Sequence, residues 1–173
     1  MNKTYWLTGL PGSGKTTLGL ALVAELTKRN QPAVLLDGDE IRSGLCRDLG
    51  FSLADRTENV RRVAETAKIL NSQGIAVVCA LVSPMESHRA LAHQILAQDI
   101  FQVFVDCSAQ ECAARDPKGL WAKAAKGEIP DWTGIGQAYE RPEHPDFHYL
   151  SEVDHAASAA IRILHLTNHR DLL

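Results

Sequence analysis

The chain has 173 residues, 45% of them hydrophobic and 23% charged, with a net charge of −3. That length favours one domain with a sizeable core. The charge leaves no global basic field for nucleic acid or an anionic membrane, so a polyanionic ligand must be held by local Arg and Lys clusters.

The first residues enter the apolar run Tyr5-Trp6-Leu7, predicting a strand over Thr4–Thr8. The stretch Gly9 to Thr17 then reads GLPGSGKTT and contains the pattern G-x-x-x-x-G-K-[ST], with Gly9, Gly14, Lys15 and Thr16 at its fixed positions. Gly12, Ser13 and Thr17 complete the segment. A helix over Lys15–Arg29 follows, with Leu18, Leu22 and Leu26 at helical spacing. Strand, glycine loop and helix N-terminus in that order make an anion site, whose backbone N–H groups and helix dipole face phosphates. Lys15 is expected at the β/γ-phosphates and the Thr16 hydroxyl on Mg²⁺.

Gln31-Pro32 turns the chain into a second strand, Ala33-Val34-Leu35-Leu36, apolar throughout like a strand covered on both faces. It ends in Asp37-Gly38-Asp39. A short helix is expected over Glu40–Arg47 and a longer one over Leu53–Gln73, the latter with Val60, Val63, Ala64, Ala67 and Leu70 as its stripe. A third strand, Ile75–Val82, leads to Ser83-Pro84. A helix over Glu86–Ala97 and a fourth strand, Phe101–Asp106, complete the alternation. Strands alternating with helices imply parallel pairing. The fold class is therefore α/β, a mainly parallel sheet with helices on both faces in three layers, of the P-loop NTPase type.

Residues 116–145, rich in Lys, Gly and Pro with Trp121, Trp132 and Tyr139 interspersed, read as a lid or else as an ordinary surface excursion. Phe147–Leu150 is a short final strand, and Asp154 is expected to cap a last helix with Ala157, Ala160, Ile161 and Leu164 as its stripe. Cys46, Cys79, Cys107 and Cys112 form no C-x-x-C pair, which predicts free thiols in a reducing compartment. No signal peptide and no apolar run of membrane-spanning length is read, so the expected location is cytoplasmic.

In open parallel sheets, ligands bind beyond the carboxyl ends of the strands. The first strand end supplies the phosphate loop, the second Asp37, Asp39 and Arg42, the third Ser83 and Arg89. Phosphoryl transfer needs a carboxylate near the acceptor hydroxyl. Asp39 is the candidate, while Asp37 orients neighbours or holds metal through water; the alternative is that D-G-D is only a turn. Arg56 and Asn59, at i and i+3, share a helix face and suit sulfate or phosphate, unless the arginines are simply solvated. Phe51 stacks on a base or packs in the core.

The strings LTGLPGSGKTT, LDGDEIRSGL, DLGFSLADRTENVRRVAETAK, VSPMESHR, RDPKGLWAKAAKGEI and DWTGIGQAYERPEHP together resemble adenylylsulfate kinases. The resemblance runs from about residue 4 to residue 150, and its blocks around 37–68 and 116–142 are far more specific than the phosphate loop. It implies transfer of the ATP γ-phosphoryl group to the 3′-hydroxyl of adenosine 5′-phosphosulfate, with Mg²⁺, in sulfate assimilation, by a homodimer with a mobile lid. It also implies that Gly9 to Thr16 hold ATP and that Asp39 serves the acceptor. Arg42, Arg56 and Asn59 then contact the nucleotide-sulfate, Phe51 and Trp132 clamp its adenine, and Lys118 is the lid lysine. Ser83 matches a serine described as phosphorylated in some members; direct in-line transfer needs no such intermediate. The chain departs from the family at Pro11, Ser13, Met85, Ala122, Ala125 and Gly136. The two alanines remove positive charge from the lid, and Lys126 compensates for one. The alternatives are a related kinase with another acceptor, such as a cytidine diphosphate derivative, a non-catalytic nucleotide-binding module, and a small-metabolite kinase.

Overall fold

The computed structural model describes residues 3–116, 118–129 and 132–170. Five strands form one parallel sheet in the order β2-β3-β1-β4-β5. They are β1 (Thr4–Thr8), β2 (Ala33–Asp37), β3 (Ala76–Ala80), β4 (Ile100–Asp106) and β5 (Phe147–Leu150). β1 pairs with both β3 and β4, so Thr4 lies beside Val77 and Ile100. Every residue of β1 and β3 is buried, which explains why those runs are nearly continuous in apolar residues.

The period of two divides the core. Tyr5 and Leu7 face α1 (Lys15–Lys28) and α7 (Ala156–Arg170), joining Leu18, Leu22, Ala159 and Ile163. Trp6 faces the other way, toward α3 (Leu53–Ser72) and α4 (Glu86–Leu96), and meets Val60, Val63, Ala64 and Ala92. The result is three layers. The stripe expected on α3 is the one buried, apart from the partly buried Leu70.

Four sequence-based expectations are corrected. The short helix α2 is Gly38–Ser43, not Glu40–Arg47, because Asp37 is its N-cap: the carboxylate accepts from the Asp39 N–H at 3.0 Å. Asp154 does not cap α7. Its carboxylate accepts from Leu150 N at 3.3 Å and pairs with Arg162 at 3.1 Å. The α7 stripe is rotated as well: Ala159, Ala160, Ile163, Leu164 and Thr167 are buried, whereas Ala157 and Ile161 are exposed. Residues 116–145 are not wholly irregular either. They contain α6 (Leu120–Ala125) and a turn closed by a bridge between Thr133 and Gln137, and they follow α5 (Ala109–Arg115). Pro117, Pro130 and Asp131 lie outside the described residues.

All four cysteines are buried free thiols. Among the described residues, no helix is long and apolar enough to cross a membrane.

Candidate active site

The carboxyl ends of β1, β2 and β3 open into a cavity of about 440 Å³. Its floor is the phosphate loop. Gly14 has φ +98° and forms the N-terminal boundary of α1, a conformation for which glycine is suited. Gly9 lies so close to β4 that an added Cβ would stand 2.4 Å from the Val105 carbonyl oxygen. The loop thus rests directly on the sheet.

Lys15 is buried inside the loop. Its ammonium donates to Gly9 O at 3.0 Å, Leu10 O at 2.7 Å and Ser13 Oγ at 3.4 Å. Burial lowers its pKa to about 8, although Cys112, Asp37 and Asp39 pull the other way. It is therefore charged at neutral pH. Beside it, the Thr16 hydroxyl donates to Asp37 Oδ2 at 2.7 Å. These are hard oxygens, and among the described residues no group of three His, Cys, Asp or Glu forms a cage. A hydroxyl plus one carboxylate suits Mg²⁺, which keeps waters and takes phosphate oxygens as ligands.

Asp37 therefore joins three elements: it ends β2, caps α2 and bonds to α1. The reading of D-G-D as a mere turn is overturned, since a helix starts there. Asp39 stands in the first turn of α2 with an exposed carboxylate and pairs with Lys118 of the lid. Arg42, in the last turn, donates from Nη1 to Gly50 O at 2.8 Å, and its guanidinium lies 4.4 Å from the centre of the Phe51 ring.

Phe51 is 49% exposed, so core packing is excluded for it. Arg56 is buried and donates from Nε to Phe51 O at 3.0 Å, with its guanidinium 5.4 Å from the same ring. A solvated helix face is excluded for Arg56. Asn59, one turn on, is buried with its Nδ2 lacking a partner among the described residues. A buried amide donor without a partner is costly, and this one lines the cavity.

Ser83, three residues beyond β3, is buried with φ +42°. Its Oγ accepts from the Trp6 indole at 3.2 Å. Indole N–H only donates, so the Ser83 hydroxyl keeps its proton for another acceptor.

The segment after α5 meets the phosphate loop through residues to which sequence reasoning gave no site role. Trp121 donates from Nε1 to Pro11 O at 2.9 Å and packs edge-on against Trp132, with centroids 6.2 Å apart. Both belong to a small apolar cluster with Leu10, Cys107 and Cys112. The Asp116 carboxylate accepts from the Trp121 and Ala122 N–H groups, both at 3.0 Å, and so starts α6. Arg115 bonds Ser151 Oγ at 3.2 Å and Ser151 O at 3.1 Å, and both residues flank Gly14. His88 is fully buried, and burial together with the nearby Arg56 and Arg89 charges lowers its pKa. Arg115 and Trp121 both fall in the RDPKGLWAKA string, and their roles depend on contacts far away in sequence. Lys15, Thr16, Asp37, Asp39, Arg42, Phe51, Arg56, Asn59, Ser83, Lys118 and Trp132 all line the one cavity.

A phosphate loop on a parallel sheet and a carboxylate at the next strand end, facing one cavity, define a P-loop kinase. The chain belongs to the adenylylsulphate kinase family, whose profile matches residues 1–150. It is 47% identical over 164 residues to the probable adenylyl-sulfate kinase of Halalkalibacterium halodurans, covering 94% of this chain and 78% of that protein. It is 46% identical to the bifunctional enzyme NodQ of Rhizobium tropici, covering 91% of this chain but only 25% of that longer protein. Among solved structures, the Mycobacterium tuberculosis APS kinase CysC in complex with AMPPNP and APS superposes with a TM-score of 0.93 at 43% identity, covering 96% of this chain and 98% of that one.

Proposed function

We propose that this chain transfers the γ-phosphoryl group of ATP to the 3′-hydroxyl of adenosine 5′-phosphosulfate, giving ADP and 3′-phosphoadenosine 5′-phosphosulfate for sulfate assimilation. One observation carries the reading: a phosphate loop, a carboxylate and an Arg-Phe-Arg-Asn wall line a single cavity. A small-metabolite kinase needs no such wall.

Gly9, Gly12, Ser13, Gly14, Lys15, Thr16 and Thr17 hold the donor phosphates. Lys15 trades a carbonyl of the loop for phosphate oxygens and follows the charge onto the transferring group. Thr16 and Asp37 would hold Mg²⁺, which would neutralise phosphate charge there. Asp39 leaves Lys118, orients the 3′-hydroxyl and takes its proton as the new O–P bond forms and the bond to the β-phosphate oxygen breaks. Lys118 is then free to face the acceptor. Arg42, Arg56 and Asn59 donate to the nucleotide-sulfate, with Ser83 donating its remaining hydroxyl proton. Phe51 and Trp132 bracket the adenine, and the lid keeps water from competing as acceptor. The resemblance further supports a homodimer in the cytoplasm.

The test is an ADP-release assay with ATP and either adenosine 5′-phosphosulfate or a cytidine diphosphate derivative. Saturable turnover with the first alone is expected. Turnover only with the second, or tight ATP binding with no transfer to either, overturns the proposal.

A further inference from the structure

Ser83 holds a backbone conformation that few non-glycine residues adopt, φ +42°. Trp6 reaches its hydroxyl and Arg89 its carbonyl, and further contacts around the turn come from a distant segment. Met85 precedes α4 without a side-chain oxygen to cap it; the His88 N–H turns back to Met85 O at 3.1 Å, while the Glu86 N–H takes an outside acceptor.

That acceptor comes from 54 residues further on. Glu140 Oε2 accepts from the Glu86 N–H at 2.6 Å, and the Glu140 N–H donates to Pro84 O at 2.8 Å. One residue earlier, the Tyr139 hydroxyl lies 2.8 Å from Thr8 Oγ1. Thr8 has a single hydroxyl proton and directs it to Val82 O at 2.7 Å, so Tyr139 is the donor. Burial pushes the Tyr139 phenol up to about 12, which keeps that proton in place. The ring stacks on Phe104 with centroids 6.1 Å apart. The fully buried Arg89 closes the arrangement by donating from Nη1 to Ser83 O at 3.0 Å while pairing with Glu86.

We propose that Tyr139 and Glu140 are positioning residues: they form a strap that holds the Ser83 turn in its left-handed conformation and keeps its hydroxyl available to the acceptor nucleotide. The strap lies near the C-terminal end of the 116–145 segment. The end of the lid and the Ser83 turn therefore share one fixed post. This rests on the assignment of Ser83 to the acceptor made above.

The experiment compares wild type with Glu140→Ala, Glu140→Gln, Tyr139→Phe and Ser83→Ala, and with Glu140→Ala and Tyr139→Phe each in the Ser83→Ala background. It reads acceptor kcat/KM, ADP affinity and backbone hydrogen exchange. Glu140→Ala is expected to lower acceptor kcat/KM about five- to tenfold, and Tyr139→Phe about threefold, with ADP affinity unchanged. Glu140→Gln, whose amide oxygen still accepts, restores most of the loss. Exchange rises over residues 82–89 but not in α1, which reports that the fold is intact. In the Ser83→Ala background the further losses shrink toward zero, the mark of coupled residues. Unchanged exchange over 82–89 overturns the strap. So do losses that multiply in full on top of Ser83→Ala. Ser83→Ala with wild-type acceptor kinetics sinks a different statement, the assignment of Ser83 to the acceptor, and exchange alone then decides the strap.

Discussion

Lys15 is a charged group kept out of water, and that has a measurable consequence for folding. Burial lowers its pKa to about 8 from the ordinary lysine value of 10.5. Between those values the folded chain binds fewer protons than the unfolded one. Stability from this group therefore rises with pH across that window, and the penalty for burying the charge is fully present below it. The displacement corresponds to about 3 kcal/mol. Lys15→Met removes the titrating group and keeps much of the apolar stem. Urea unfolding of both proteins from about pH 7 to pH 10.5 isolates the effect, because groups not coupled to Lys15 cancel in the difference. Wild type should gain about 3 kcal/mol relative to the variant on going from pH 8 to 10.5, with little change below. A nucleotide phosphate favours the ammonium, so ADP binding takes up a proton above pH 8 and its affinity falls up to about tenfold per pH unit there. The variant binds ADP weakly and without that slope. A stability difference that stays flat from pH 8 to 10.5 refutes the reasoning.

Asp39→Asn should lower kcat by about 100-fold, as loss of a positioned base does. Its melting temperature should hardly move, because Asp39 and Lys118 are largely exposed and such pairs contribute little; wild-type kcat would remove Asp39 from the chemistry. Gly9→Ala forces a Cβ to within 2.4 Å of the Val105 carbonyl and 2.8 Å of Ser13 Oγ, so the loop must lift off β4. Loss of ADP binding in calorimetry is expected together with destabilisation of about 1–3 kcal/mol, and intact ADP affinity would contradict it. Trp132→Ala should weaken acceptor binding by about 1–3 kcal/mol if the indole stacks on the adenine. Unchanged acceptor affinity would leave Trp132 as packing for Trp121 alone.

What the sequence made legible, and what it hid, follows from how far each feature reaches along the chain. The phosphate loop is nine consecutive residues, Gly9 to Thr17, and its flanks are a strand and a helix whose periods are local. The boundaries of β1, β5 and the start of α3 follow from local signals too, such as Ser52 accepting from the Asp55 N–H at 3.1 Å. The start of α2 at Gly38 rather than Glu40 rests on the capping bond from Asp39 N to the Asp37 carboxylate, which a D-G-D string does not distinguish from a turn. The α7 stripe was ambiguous because apolar residues occur on both sides of that helix: Ile161 and Leu166 are exposed at 49% and 44%, while Ile163 and Leu164 are buried on α1. Hydrophobic period cannot choose between two such faces when the packing partner is 140 residues away.

The parts of the site that sequence reasoning missed have a common cause. Trp121 reaches Pro11, Arg115 reaches Ser151, Tyr139 reaches Thr8 and Glu140 reaches Glu86. Each contact joins the lid or its flanks to a strand-end loop, and none leaves a trace in the spacing of neighbours. Their effect is nonetheless visible where a local rule fails. Serine at φ +42° and a helix opening on methionine are both locally unfavourable. Part of the compensation is nearby, from Arg89 to Ser83 O and between Met85 and His88, and part comes from a segment that reads as a lid or else as a surface excursion. A broken local rule beside a candidate ligand contact is therefore a reason to search distant segments for the group that compensates. Here that search leads to Tyr139 and Glu140, which is why this segment and the Ser83 turn should be measured together.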